Sequence, residues 1–551
     1  MKKLLCVLLA AALILGLAAC GEKPGPSGNA SEPAESASAP GSSDAATLAP
    51  TGVPTLAQTE DTAKKYKKTV TVSTGNAIGN LNPWQLSNNS VYWHQNFVYN
   101  ELVSYNWDEE KFVPELATEW KQEKPNVWYF KLRDDVYFSN GEQFTADDVK
   151  FSLLDGPAGG EEVVLTAWKN IEDIEIISDF EVRVILKGAN SEYLYTLYTP
   201  QYGGFMVNRD AYLKDGVEGL RIGTGGWIVT DFMPLDSVTY KKFEDSWVWK
   251  EEGETPTETV IYKYVADSVV ACLAGEVANA NPTMADALGY IAEYKNVIAR
   301  PSEALAYDVL IVNCSEYSIF YEDFALRRAV AYAIDRAAYN KIASSGMSDR
   351  LPDMTMKSMW TPAQFGYFDD YEHPYGFDLE YAKELLAQSK HAGEKITLDL
   401  YSLKGMANSA TVIAEMLKEL GIECKIVATD SQGLSGAYSD AKTQHVYDLL
   451  LTNCTYTLNP STHKSRFCNG GYRNFYVNPE ADRLFALIEG GETEEIRLQA
   501  CKDMQILWYN EMPFIVLKTR TQTPMWNVKV SGIDFSLDQK YDFHRVMWEE
   551  D

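Results

Sequence analysis

The 551-residue chain is poor in positive charge: 49 Lys and Arg stand against 78 Asp and Glu, a formal net charge of -29 at neutral pH. This balance excludes nucleic acid and anionic lipid headgroups as partners, since both require a basic face. Histidine is scarce too. The six residues His94, His373, His391, His445, His463 and His544 form no HExxH pattern and no close pair in sequence, so no dedicated zinc site is expected. The eight cysteines show no CxxC spacing and supply neither a redox nor a metal motif. Those beyond Cys6 and Cys20 (Cys272, Cys314, Cys424, Cys454, Cys468 and Cys501) are expected as small buried apolar residues rather than disulfide partners. No GxSxG elbow, GxxxxGK loop or Lys-Thr-Gly triplet occurs. Past residue 20, no apolar run reaches the roughly 18 to 20 residues that cross a bilayer.

What is present begins at the N-terminus. "MKKLLCVLLAAALILGLAAC" places Lys2 and Lys3 before an apolar run from Leu4 to Leu15 and small residues before Cys20, the anatomy of a secretory signal. "LAAC" (Leu17 to Cys20) resembles a bacterial lipobox, which implies removal of residues 1–19 and lipidation of Cys20. Acyl chains there tether the folded part to the outer face of the cell membrane while it stays in water. Residues 20–65, rich in Gly, Pro, Ser, Ala and Thr, bury too little apolar surface to offset their ordering entropy and are expected as a disordered stalk. From Tyr66 to Asp551 the composition is globular, and the length exceeds what one core usually serves, so at least two lobes are expected.

Periodicity places the elements. "TVTVST" (residues 69–74) alternates as a strand, and Trp128, Phe130 and Leu132 alternate ahead of a turn at Asn140-Gly141. Thr145 with Asp148 three residues on opens a helix as a capping box. "DIEIISDFEVRVILKG" reads as a hairpin turning at Ser178-Asp179, and "SVTYKKFEDSW" and "ETVIYKYVAD" as further strands. In "EDFALRRAVAYAIDRAAYNKI" the positions Leu326, Val330, Ala333 and Ile334 follow helical spacing. Ile413, Met416, Leu417 and Leu420 do so again, with Gly421 as C-terminal cap. "IECKIVAT" then alternates as a strand, and "YDLLLT" is an apolar run suited to a strand covered on both faces. The result is an α/β lobe with ligand-facing groups just past the carboxyl ends of its strands, where "TNCTYTLNP" stands.

That patch has catalytic suspects. Ser461 and Lys464 fit Ser-x-x-Lys of penicillin-interacting enzymes, but the companion motifs are missing. Cys454 with His463 reads as a thiolate and its base, or as a small apolar residue at a strand end. The 13 Trp and 33 Tyr include several in turn-like contexts, among them Trp84, Trp93, Trp227 and Trp360, that suit either core packing or a wet cleft.

The segments "YNELVSYNWDEEKFVPELATEWK", "FKLRDDVYFSNGEQFTADDVKFSL", "GTGGWIV", "LRRAVAYAIDR" and "SMWTP", in this order, resemble the family 5 extracellular solute-binding proteins of ABC importers, which include oligopeptide-, dipeptide- and nickel-binding proteins. The resemblance implies an α/β fold of the periplasmic-binding-protein type (type II, cluster C): two α/β lobes with a Venus-flytrap hinge and an extra subdomain. Lobe I would comprise residues 66–85, 200–300 and 515–551, the extra subdomain 86–199, and lobe II 301–514. It further implies a monomer without cofactor or catalytic residues, delivering a peptide or peptide-like solute to the permease and ATPase subunits of an importer. An exported serine hydrolase using Ser461 and Lys464, and a non-transport peptide sensor, are the rival functions; an oligosaccharide or a metal chelate are rival ligands. By the resemblance, Asn453, Cys454, Thr455 and Tyr456 form the ligand strand, with Trp84, Trp93, Met359 and Trp360 as walls. Tyr456 stands where peptide-binding members carry an Asp for the peptide's α-ammonium group, and a neutral phenol does not offset a buried ammonium as a carboxylate does.

Overall fold

The computed structural model describes residues 64–550 apart from 76, 85–93, 108, 160–167, 199–203, 283, 301, 344–354, 456–457, 469–474 and 536–540. The signal segment, Cys20, all but the end of the stalk, Trp93 and Tyr456 lie outside the described residues. No helix among the described residues is long and apolar enough to cross a membrane.

Period-2 alternation sets the first strand: in β1 (Thr69–Thr74), Val70 and Val72 are buried while Thr69 faces solvent. A hairpin, β2 (Val103–Asn106) with β3 (Lys111–Pro114), follows. Then come β4 (Ala117–Lys124), β5 (Val127–Leu132), β6 (Ile171–Ser178) and β7 (Glu181–Leu186), which form a four-stranded antiparallel sheet in the order β4-β5-β7-β6. The expected hairpin turns at Ser178-Asp179 in this sheet, and Ile174, Val182 and Val184 line its buried face. The Thr145–Asp148 capping box forms as the sequence implies, and Gly141 takes the positive φ of 87° that the Asn-Gly turn requires.

A second four-stranded sheet is built from β8 (Trp227–Met233), β9 (Ser237–Lys242) and β10 (Thr259–Tyr264), with β1 added in parallel to β10. Short strands β11 (Asn279–Ala280) and β12 (Val297–Ala299) pair with a C-terminal strand named below. The longest strand, β13 (Ser302–Val312), enters a five-stranded sheet with β14 (Thr397–Leu403), β15 (Glu423–Thr429), β16 (Leu449–Thr455) and β17 (Phe514–Gln522). Its order is β15-β14-β16-β13-β17, with β15, β14 and β16 parallel and β13 antiparallel to both neighbours. β18 (Met525–Asn527) then lies between β11 and β12.

Two local expectations change. The apolar pattern from Leu326 to Ile334 does not continue as one helix: the helix Phe324–Ala333 stops because Ile334 is extended (φ -93°, ψ 111°), and a second helix, Arg336–Ala343, starts after it. β15 alternates in sequence but is an edge strand, and Ile426 and Val427 on opposite faces are both exposed.

Apolar burial divides into two large clusters. One collects β1, the four-stranded sheets, and Trp526, Val530, Tyr541 and Trp548. The other surrounds the five-stranded sheet, with the consecutive Leu449, Leu450 and Leu451 of β16 fully buried on both faces of the strand.

Candidate ligand-binding site

The "YDLLLTNCT" segment becomes β16, and its two edges end differently. The antiparallel ladder with β13 runs from Leu449 through Thr455, matching Val312 to Ala306. The parallel ladder with β14 covers only Leu449 to Leu451, because β14 turns away at Leu403 into a helical turn at Lys404–Met406. Asn453 and Thr455 therefore project past β14 on a strand that, among the described residues, pairs there with β13 alone. A strand edge of this kind accepts an extended chain as an added strand.

Side chains at this end alternate. Thr452 and Cys454 point into the core, and Asn453 and Thr455 are half-buried on the other face. Asn453 stands directly across from Asp308 of β13, and Asp308 directly across from Lys518 of β17, so the three form one cross-strand row. Arg520, two residues after Lys518 on the same strand, reaches back with Nε 3.7 Å from Asp308 Oδ1. The Tyr339 hydroxyl donates to Asp308 Oδ2 at 3.1 Å, while Oδ1 accepts no hydrogen bond from the described residues. Burial pushes the Asp308 carboxyl upward against the pull of Lys518 and Arg520, and pushes the Lys518 ammonium downward against Asp308. Lys518 Nζ donates to the Thr519 carbonyl at 3.3 Å, and the Arg466 guanidinium donates to the carbonyl of Thr455. The carboxyl end of the sheet thus carries an exposed arginine, a buried lysine, a buried carboxyl with one oxygen that accepts no hydrogen bond from the described residues, and a strand edge that β14 does not cover. Sequence reasoning passed over Asp308, Lys518 and Arg520. Their signal was a charge inside the apolar run "YDVLIV" and two cations at i and i+2 in "VLKTR", which a strand places on one face.

Other expected residues lie elsewhere. Trp84 is 1% exposed; its indole N–H donates to the Ser152 carbonyl at 3.2 Å and its ring meets Phe151 and Tyr212 edge-on. Met359 and Trp360 are buried in the second core, where Trp360 stacks on His463 with centroids 6.0 Å apart and meets Trp508 edge-on. These three side chains fill cores rather than form an open wall. Trp93 and Tyr456 are outside the described residues.

Neither the Ser461–Lys464 nor the Cys454–His463 pairing is formed among the described residues. The Ser461 hydroxyl donates to Glu192 Oε2 at 2.7 Å, and Lys464 Nζ is bound by Glu489 Oε2 at 2.7 Å. Cys454 is a core residue. His463 has Nδ1 3.4 Å from the Tyr307 hydroxyl and Nε2 against the Gln364 amide, and burial lowers its pKa to about 3, far below a useful general base. None of the six cysteines beyond Cys20 is disulfide-bonded, and burial raises the thiols of Cys272 and Cys424 to about 12. At the opposite, amino end of β14, Asp399, His445 and Asp448 lie within 4.8 Å of one another. There the His445 ring bridges two carboxylates, with Nδ1 3.8 Å from Asp399 and Nε2 3.3 Å from Asp448.

Residues 111–471 match the family described as bacterial extracellular solute-binding proteins, family 5 Middle. The chain belongs to this family. The nickel-binding periplasmic protein of Escherichia coli (strain K12) is 24% identical over 396 residues, covering 66% of this chain and 72% of that protein. The dipeptide-binding protein of the same strain is 24% identical over 415 residues, covering 68% and 74%. Among solved structures, the ABC transporter substrate-binding protein CtaP from Listeria monocytogenes superposes with a TM-score of 0.76 at 17% identity, covering 88% of this chain and all of the other. The fold is thus the two-lobe periplasmic-binding-protein type that the sequence resemblance implied. This family 5 chain is a solute-binding protein of the ABC-importer class, a class that captures solutes rather than transforming them.

Proposed function

We propose that this family 5 protein is a lipid-anchored, extracytoplasmic capture subunit that takes a peptide or peptide-like solute between its lobes and hands it to a permease and ATPase. The observation that carries this reading is the one-sided edge of β16: the β13 ladder reaches Thr455 whereas the β14 ladder stops at Leu451. An extended ligand that adds there gains main-chain hydrogen bonds irrespective of its side chains. Residues 66–85, 200–300 and the chain after β17 form lobe I, 86–199 the extra subdomain, and 301–514 together with β17, which completes their five-stranded sheet, lobe II, while Cys20 carries the lipid. The dipeptide-binding relative favours a peptide ligand. A solute that contacts both lobes stabilises the closed form by its differential affinity for it.

Mass spectrometry of small molecules released from the purified protein tests the ligand class. Peptides are expected; a metal chelate or an oligosaccharide in their place would overturn the peptide assignment. Tyr456→Asp, which supplies the counter-charge, raises affinity for free-amino dipeptides at least about 10-fold while leaving N-acetylated ones unchanged. Titration calorimetry with L-alanyl-L-alanine and its N-acetyl form reads this directly. Equal affinities in wild type and variant would sink the assignment of residue 456 to the ammonium site.

A further inference from the structure

Glu192 sits where the two apolar cores meet. It follows β7 and precedes the helix Tyr193–Tyr198, whose Tyr193 and Leu194 belong to the first core. Its contacts come from chain around the second core. Ser461 donates to its Oε2 at 2.7 Å, the neighbouring Ser191 N–H donates to the Glu489 carbonyl at 2.7 Å, and a Cβ on Gly490 would stand 2.8 Å from that of Ala189. Residues 189–192 are therefore seated on Ser461 and on the end of the helix Pro479–Gly490.

Glu192 is 4% exposed, and its Oε1 accepts no hydrogen bond from the described residues. The titratable and charged groups facing it are Glu489 and Lys464, Arg497 and Cys501 of the helix Glu494–Glu511, and Tyr195 of its own helix. Lys464 is held by Glu489 at 2.7 Å and is not available to Glu192. A bare carboxylate here has lost its water and faces a second carboxylate, and the Ser461 hydroxyl, Arg497 and the Asn459 side chain compensate only in part.

We propose that this junction is a proton-gated latch: residues 189–192 close onto Ser461 and Glu489–Gly490 with uptake of one proton from solvent by the Glu192 carboxyl, and separate with its release. Burial, helped by Glu489 and opposed by the Ser461 hydroxyl, raises the closed-state pKa from 4.5 to about 8. In the separated state the carboxyl is hydrated and regains its ordinary value. The latch is at full strength below about pH 4.5, weakens by up to tenfold per pH unit above that, and reaches its weakest level past about pH 8. Its consequence for solute retention rests on the capture reading, but the latch itself requires only that the two cores part.

Hydrogen exchange of the full chain in detergent micelles, corrected for intrinsic exchange rates, tests this without any solute. Between about pH 5.5 and about pH 7.5, protection of segments 187–195 and 459–468 should fall together by up to ~100-fold in wild type. Protection of residues 309–312, inside the second core, should exceed that of both segments at every pH, because the latch parts without the core opening. In Glu192→Gln, which carries the neutral group permanently, both segments stay protected across the range. Ser461→Ala leaves Glu192 ionisable and keeps the slope, at lower protection throughout. A flat wild-type profile, an unaltered slope in Glu192→Gln, a flat profile in Ser461→Ala, or protection at 309–312 no higher than in the two segments would each overturn the latch. None of these results bears on solute capture, which the released-ligand experiment decides.

Discussion

Asp308 stands between Tyr307 and Val309 in a strand whose neighbours are fully buried, and it is tolerated there because the Tyr339 hydroxyl and two cations share its charge. The arrangement is asymmetric. Lys518 is 7% exposed and, among the described residues, donates to its neighbour's carbonyl alone, so Asp308 is the group that stabilises its charged form. Removing the carboxylate leaves a buried ammonium uncompensated, which costs more than the pair itself contributes. Asp308→Ala is expected to destabilise the protein by about 3–5 kcal/mol, and adding Lys518→Met should recover part of that loss. Chemical denaturation of the single and double variants measures it; a double variant no more stable than Asp308→Ala would show that the two charges are not coupled. Cys454 and Trp360 teach the complementary lesson. Both have chemistry that suggests a site, but the side chains flanking them show that each fills the core.

Strands and turns with strict period-2 patterning were legible because alternation is a local property. β1, the β6–β7 hairpin and the Thr145 capping box fall where the residues imply. What escaped depends on long-range pairing. Nothing in "YDLLLTNCT" tells that β14 leaves it at Leu451, nor that Asn453, Asp308 and Lys518 share a row, since both of Asp308's partners in that row are more than a hundred residues away in the chain. The helix break at Ile334 was likewise hidden, because the apolar spacing runs through it. The "GTGGW" motif marks a third kind of constraint. Gly225 N–H donates to the Val98 carbonyl at 2.8 Å and Trp227 N–H to Phe97 at 3.0 Å, so this segment lies flat on the 97–98 backbone. A Cβ on Gly223 would stand 1.9 Å from the Val98 carbonyl oxygen, and backbone does not yield as a flexible side chain does. Gly223→Ala should therefore cost about 1–3 kcal/mol by overpacking, read as a lowered thermal midpoint. Unchanged stability would mean that the two segments separate freely.

Across the whole molecule, buried titratable groups pull stability in opposite directions with pH. His94 and His463 are enclosed on all sides, and burial lowers both to about 3 from an ordinary 6.5. Each binds a proton in the unfolded chain more readily than in the folded one below pH 6.5, so the stability it contributes is complete above that pH and is lost as pH falls toward about 3. Glu192 has the reverse sign. Its folded pKa of about 8 lies above the ordinary 4.5, so its contribution is complete below 4.5 and is lost as pH rises toward about 8. Each group changes stability by at most about 1.4 kcal/mol per pH unit. His463→Gln removes the acid-side term, so its stability relative to wild type should improve as pH falls from about 6.5 to about 5. Glu192→Gln should improve relative to wild type as pH rises from about 5 to about 8. Thermal or chemical unfolding of the three proteins at matched ionic strength reads both slopes. Because the two differences have opposite signs, a general effect of substitution cannot produce the pair, and slopes of one sign in both variants would rule out this assignment of protons to the cores.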